Sequence, residues 1–146
     1  MKLFRAAIGL AMMALVVTSC ETLQNLPTNT TGNVFSLNGQ WKLTSTTDNN
    51  AMVGTVVQVY PIVGNATVKT IANNTYCVRN NDELWRSVKS NGAGGFTISN
   101  LSSACNGSVV YNDGTVSVVK PDEIVVTSRT SGNSELVQRW ARVKAN

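Results

Sequence analysis

Apolar and polar residues alternate in short runs along most of this chain, with clusters of Asn, Asp and Gly between the runs. In the run from Leu37 to Thr47, Leu37, Gly39, Trp41 and Leu43 share one face, while Asn38, Gln40, Lys42 and Thr44 share the other. A period of two marks a strand with one buried side. Asp48-Asn49-Asn50 ends this run, and a valine-rich stretch from Met52 to Tyr60 follows, closed by Pro61. Asn65 to Ala72 alternates again, Thr75 to Arg79 is a short extended run with Cys77, and Leu84 to Ser90 reads as a strand, in preference to one helical turn, after the turn at Asn80-Asn81-Asp82-Glu83. The glycine-rich segment 91–95 leads into Phe96 to Asn100. Ser108 to Tyr111 and Thr115 to Val119 read as a hairpin around Asn112-Asp113-Gly114, because Asp-Gly suits the positive φ angles of a tight turn. Ile124 to Thr130 and Glu135 to Val143 complete the series.

This gives roughly eight to ten strands at spacings of about 8 to 12 residues, the rhythm of an all-β sandwich or barrel. No helix is expected beyond the first twenty residues. The hairpin-by-hairpin order favours an antiparallel up-and-down barrel of about eight strands, since closure removes the unpaired edges of a large sheet. An immunoglobulin-like sandwich is the competing architecture, because Trp85 lies between Cys77 and Cys105.

The first residues follow another pattern. Lys2 and Arg5 precede an apolar run from Ala6 to Val17, which ends in Val17-Thr18-Ser19-Cys20. A basic head, a short apolar run and small residues describe a secretory signal, and the run falls short of the roughly 20 residues a membrane span needs. Val17-Thr18-Ser19-Cys20 resembles the lipobox of bacterial lipoproteins. The resemblance implies cleavage after Ser19 and acylation of Cys20, with residues 1–19 as the signal peptide. More than one acyl chain holds a protein on a bilayer stably. Glu21, in place of an aspartate, implies sorting to the outer membrane, facing the periplasm. Residues 20–34, with Pro27 and a run of Thr and Asn, read as a tether, and 35–146 as the folded domain.

Charge changes the picture little. The formal net charge is +4, and cleavage after Ser19 removes Lys2 and Arg5 and leaves +2. The remaining basic residues are scattered rather than gathered into a stripe, which argues against nucleic acid as a partner. In an oxidising compartment Cys77 and Cys105 are expected to pair, which would stabilise by about 3.5 kcal/mol on a loop-entropy estimate. Two free thiols or a metal pair are the alternatives. The metal pair is poorly supported, because the chain has no histidine.

Two end motifs carry a second resemblance. Leu37-Asn38-Gly39-Gln40-Trp41-Lys42-Leu43 resembles the first strand of lipocalin-like domains, which carries Gly-x-Trp. Gln138-Arg139-Trp140-Ala141-Arg142-Val143 is similar to the last strand of small bacterial lipocalin-like lipoproteins. The resemblance implies that Gly39 and Trp41 close the barrel, with Arg142 or Arg139 packed across the Trp41 ring.

Candidate chemistry is sparse. Without histidine the chain lacks the commonest acid–base group. Asp48, Asp82, Glu83, Asp113, Asp122 and Glu123 all fall at expected turns, where polar residues serve geometry. There is no nucleophile elbow, phosphate loop or metal-ligand spacing, so neither an enzyme nor a cofactor is expected. A barrel of this size either holds one small ligand or fills with its own side chains. Two roles follow. One is a lipid-anchored carrier of a small apolar ligand lined by Tyr60, Trp85, Phe96 and Tyr111. The other is a non-catalytic envelope adaptor whose solid barrel binds a protein partner.

Overall fold

The computed structural model describes residues 35–144. The expected signal peptide, the lipidation site Cys20 and the tether over 20–34 lie outside the described residues. Eight strands form in chain order: β1 Gly39–Thr46, β2 Val56–Tyr60, β3 Asn65–Thr70, β4 Glu83–Ser90, β5 Gly95–Ser103, β6 Val110–Lys120, β7 Glu123–Arg129 and β8 Glu135–Arg142. Each pairs antiparallel with the next, and β8 returns to β1 through Trp41 opposite Arg142 and Leu43 opposite Trp140. The sheet is thus a closed up-and-down barrel, with every strand paired on both sides.

Alternation drives this arrangement. In β1, Trp41 and Leu43 are buried while Gln40 and Lys42 are exposed; in β8, Leu136, Gln138 and Trp140 are buried. The three tryptophans, Trp41, Trp85 and Trp140, have no exposed surface and form the bulk of the interior with valines of β2, β3 and β7. Burying each such side chain contributes roughly 2–3 kcal/mol or more to folding.

Three expectations are corrected. The hairpin at Asn112-Asp113-Gly114 does not form; all three residues lie inside the continuous strand β6. They stay in register with β5, pairing Asn100 with Asn112, Ser99 with Asp113 and Ile98 with Gly114. A Cβ on Gly114 would lie 2.8 Å from both Ser128 Cβ and the Thr127 carbonyl, so the glycine permits close approach of β7 instead of a turn. Thr75 to Arg79 is loop, where Cys77 has a φ of +58° and Asn74 holds Val78 by two hydrogen bonds of 2.8 and 3.0 Å. The second run loses its first part, because Met52, buried with a φ of +62°, belongs to the turn that precedes β2.

An even number of antiparallel strands brings both ends of the described chain to one end of the barrel. That end also carries the β2–β3, β4–β5 and β6–β7 turns. The far end carries the longer connections, 47–55, 71–82 and 104–109, and the β7–β8 turn. A disulfide between Cys77 and Cys105, with Cα atoms 5.0 Å apart, ties two of the long connections together.

Candidate functional site

The closure region is built from the two end strands. Gly39 has a φ of +124°, and a Cβ there would meet Arg142 Nη1 at 3.0 Å, so the missing side chain leaves room for the guanidinium. Arg142 Cζ lies 4.3 Å from the centre of the Trp41 ring and 5.8 Å from that of Phe35. Its nitrogens donate to the carbonyls of Ser36, Asn38 and Pro121. Partial burial pushes the Arg142 pKa down, with Asp122 opposing the shift. Trp41 Nε1 donates to the Leu37 carbonyl at 2.9 Å, so the indole is fixed at both its polar edge and its face. Arg139 is elsewhere: its Nη1 meets Glu123 Oε1 at 3.0 Å on the exposed side of β8. This cluster orients one end of the barrel and holds the first described residues against it.

The four aromatic residues considered for a ligand space do not surround one. Trp85 is fully buried and meets Trp140 edge-on, with centroids 5.2 Å apart. Phe96 is buried beside Phe35, with centroids 6.3 Å apart. Tyr60 is exposed at the end of β2. Tyr111 is half-buried, donates to the Glu83 carbonyl at 2.7 Å and carries Arg86 4.1 Å above its ring. Burial raises the Tyr111 pKa, partly opposed by Arg86. Two of the four therefore fill the interior, Tyr60 stands outside, and Tyr111 packs half-buried against the core.

Polar groups also share that interior. Asn100 Nδ2 donates to Ser128 Oγ at 2.8 Å and to Gln138 Oε1 at 3.4 Å, and all three side chains are buried. Asn100 Oδ1, Trp85 Nε1 and Trp140 Nε1 are buried without a hydrogen-bond partner. A central amide cluster of this kind fixes strand register at some cost in stability, because an unpaired buried polar atom costs about 1–3 kcal/mol.

A concave surface lies outside. A groove of about 780 Å³ runs across β4, β5, β6 and β7 and reaches the start of β8. Strand register sets Lys89, Thr97, Thr115 and Thr127 in one transverse row, each opposite the next. A parallel set places Ser99 opposite Asp113 and Arg129 opposite Glu135. Ser87, with a φ of +53°, sits in the β4 irregularity between Arg86 and Lys89, where the strand bends. Hydroxyls spaced by the strand separation of about 4.8 Å can each donate and accept, and Lys89, Arg129, Asp113 and Glu135 supply both signs of charge. This suits a polar partner lying across the strands.

Sequence reasoning did not find this groove. Its signal was present in the alternation, since Thr97, Ser99, Asp113, Thr115, Thr127 and Arg129 are all outward positions carrying hydroxyls or charges. Seeing it required knowing that β4 to β7 are neighbours and that β6 is unbroken.

At the far end, Tyr76 donates to Asp48 Oδ2 at 3.0 Å. Burial, together with Asp48, pushes the Tyr76 pKa well above the ordinary tyrosine value. Among the described residues, no group of three or more His, Cys, Asp or Glu side chains is placed to hold a metal ion. No family model, no curated protein and no solved structure matches the chain.

Proposed function

We propose that this protein is a lipid-anchored, lipocalin-like protein of the cell envelope that works without catalysis. Its filled barrel acts as a rigid scaffold, and its outer groove over β4 to β7 holds a protein partner. The observation that carries this reading is the interior: Trp41, Trp85 and Trp140, none with exposed area, occupy the space a carried molecule would need. The groove outside offers hydroxyls and charges of both signs, the chemistry of a polar protein surface. The anchor is supported by the basic head, apolar run and Val17-Thr18-Ser19-Cys20 of the sequence, and Glu21 in place of an aspartate supports the outer membrane, facing the periplasm, as its site. Carriage of a small apolar ligand is the lesser reading, since two of the aromatic residues expected to line its space are packed into the core.

Photo-crosslinking in cells tests the proposal. A photoreactive residue at Thr97 or Thr115, both exposed, is expected to give a discrete protein adduct, and one at exposed Lys42 on β1 is not. Equal labelling at all three positions, or none, would count against a partner in the groove.

A further inference from the structure

Six large apolar side chains stand out as exposed among the described residues, and five of them lie at the barrel end where the described chain begins. They are Tyr60, Ile62, Val63, Val119 and Val143; Val109 is at the far end. Ile62 is 103 % exposed and Val63 73 %, at the tip of the β2–β3 turn. The turn itself does not call for apolar residues. It is closed by the Tyr60 carbonyl, which accepts from Val63 N at 3.1 Å and Gly64 N at 2.9 Å, and by Gly64 with a φ of +81°. Tyr60-Pro61-Ile62-Val63 thus presents an apolar tip that the fold leaves in water, at a cost of about 25 cal/mol for each Å² of it.

We infer that this end of the barrel rests on the membrane, with the Ile62–Val63 tip inserted among the lipids. The inference builds on the lipid anchor at Cys20 proposed above. Cys20 lies fifteen positions before Phe35, which sits at this same end, and covalent geometry limits that separation to about 50 Å at most. A barrel tethered at this end keeps its apolar tip within reach of the bilayer. Lys144, exposed at the same end, adds attraction to anionic headgroups. The groove and the disulfide end are then left free to meet a partner.

Full-length protein, processed in bacteria and reconstituted into vesicles of phosphatidylethanolamine and phosphatidylglycerol with brominated acyl chains, provides the test. Ile62→Trp adds a reporter at the tip and Val109→Trp adds one at the far end, over the same background of three buried tryptophans. The added emission of Ile62→Trp is expected to shift to the blue and to be lost to bromine quenching, while that of Val109→Trp keeps its intensity. Both sites are exposed, so matching circular dichroism spectra and melting curves are expected for the two variants. Equal quenching at the two sites, or an Ile62→Trp emission characteristic of water, would overturn the inference and leave a protein as the occupant of the tip. The mass of the N-terminal peptide reads the anchor separately. An acylated Cys20 with an unquenched tip refutes the orientation alone, whereas an unmodified Cys20 refutes the anchor and the orientation built on it.

Discussion

Arg142 Cζ sits 4.3 Å above the centre of the Trp41 ring, joining the last strand to the first through a charge and an aromatic face. The same guanidinium caps the carbonyls of Ser36, Asn38 and Pro121. Arg142→Ala removes the ring contact and leaves three carbonyls to water, which is expected to cost about 1.5–3 kcal/mol in urea unfolding. Arg142→Lys recovers less than half of that, because an ammonium cannot match the planar fork. A variant as stable as the parent would remove Arg142 from the closure.

The disulfide acts at the opposite end. Cys77 and Cys105 are 28 residues apart, and reducing them gives far more freedom to the unfolded chain than to the folded one. Thermal melts with and without dithiothreitol are expected to differ by about 3.5 kcal/mol in stability. A difference below about 1 kcal/mol would mean that the hydrogen bond from Ala104 N to the Tyr76 carbonyl and its neighbours hold these loops unaided.

Gly114 tests why β6 runs straight through Asp-Gly. Gly114→Ala drives a Cβ against the Thr127 carbonyl and Ser128 Cβ, and is expected to cost about 2–3 kcal/mol. Gly92→Ala is the comparison: its φ is +72° with nothing within 4 Å of the added atom, so it costs about 1 kcal/mol from left-handed backbone alone. Denaturant titration of both variants checks the order, and a Gly114→Ala protein less affected than Gly92→Ala would contradict it.

The same glycine marks the limit of what sequence could say. Strand existence was legible wherever one face is buried, as at Trp41 and Leu43, because a period of two is a direct imprint of burial. Asn112-Asp113-Gly114 misled because turn preference is local, while the eight-position ladder between β5 and β6 that overrides it is not. Cys77 departs from the extended pattern of Thr75–Arg79 for a related reason: its φ of +58° goes with the disulfide and the Asn74 bonds, which neighbouring residues do not reveal. The groove was invisible for want of neighbours. Nothing in Thr97 or Thr127 taken singly says that they stand in one row with Thr115.

Alkaline pH should act through Tyr76. Burial and Asp48 raise its pKa in the folded protein, so the neutral phenol is favoured there. The sign is that of a raised group: its contribution is intact below the unfolded value of about 10 and is lost as pH rises beyond it. Tyr76→Phe is expected to lower stability by about 1 kcal/mol at neutral pH through the lost bond to Asp48, yet to flatten the decline above about pH 10. Parallel alkaline limbs in parent and variant would assign the decline to other groups, Tyr111 among them.

Trp85 decides between a filled and a hollow barrel. It is fully buried, edge-on to Trp140 at 5.2 Å between centroids, and opposite Asn100 on β5. If the interior is packed, Trp85→Ala opens a cavity and costs about 3–5 kcal/mol, with the surrounding strands too constrained by closure to collapse. Trp85→Phe, which keeps a ring, is the milder variant should Trp85→Ala not fold. Free indole should then raise the melting temperature of Trp85→Ala by filling the space, and leave the parent unchanged. A parent protein that indole stabilises as strongly as the variant would have room inside before any side chain was removed, and carriage of a small apolar molecule would become the better reading of this barrel.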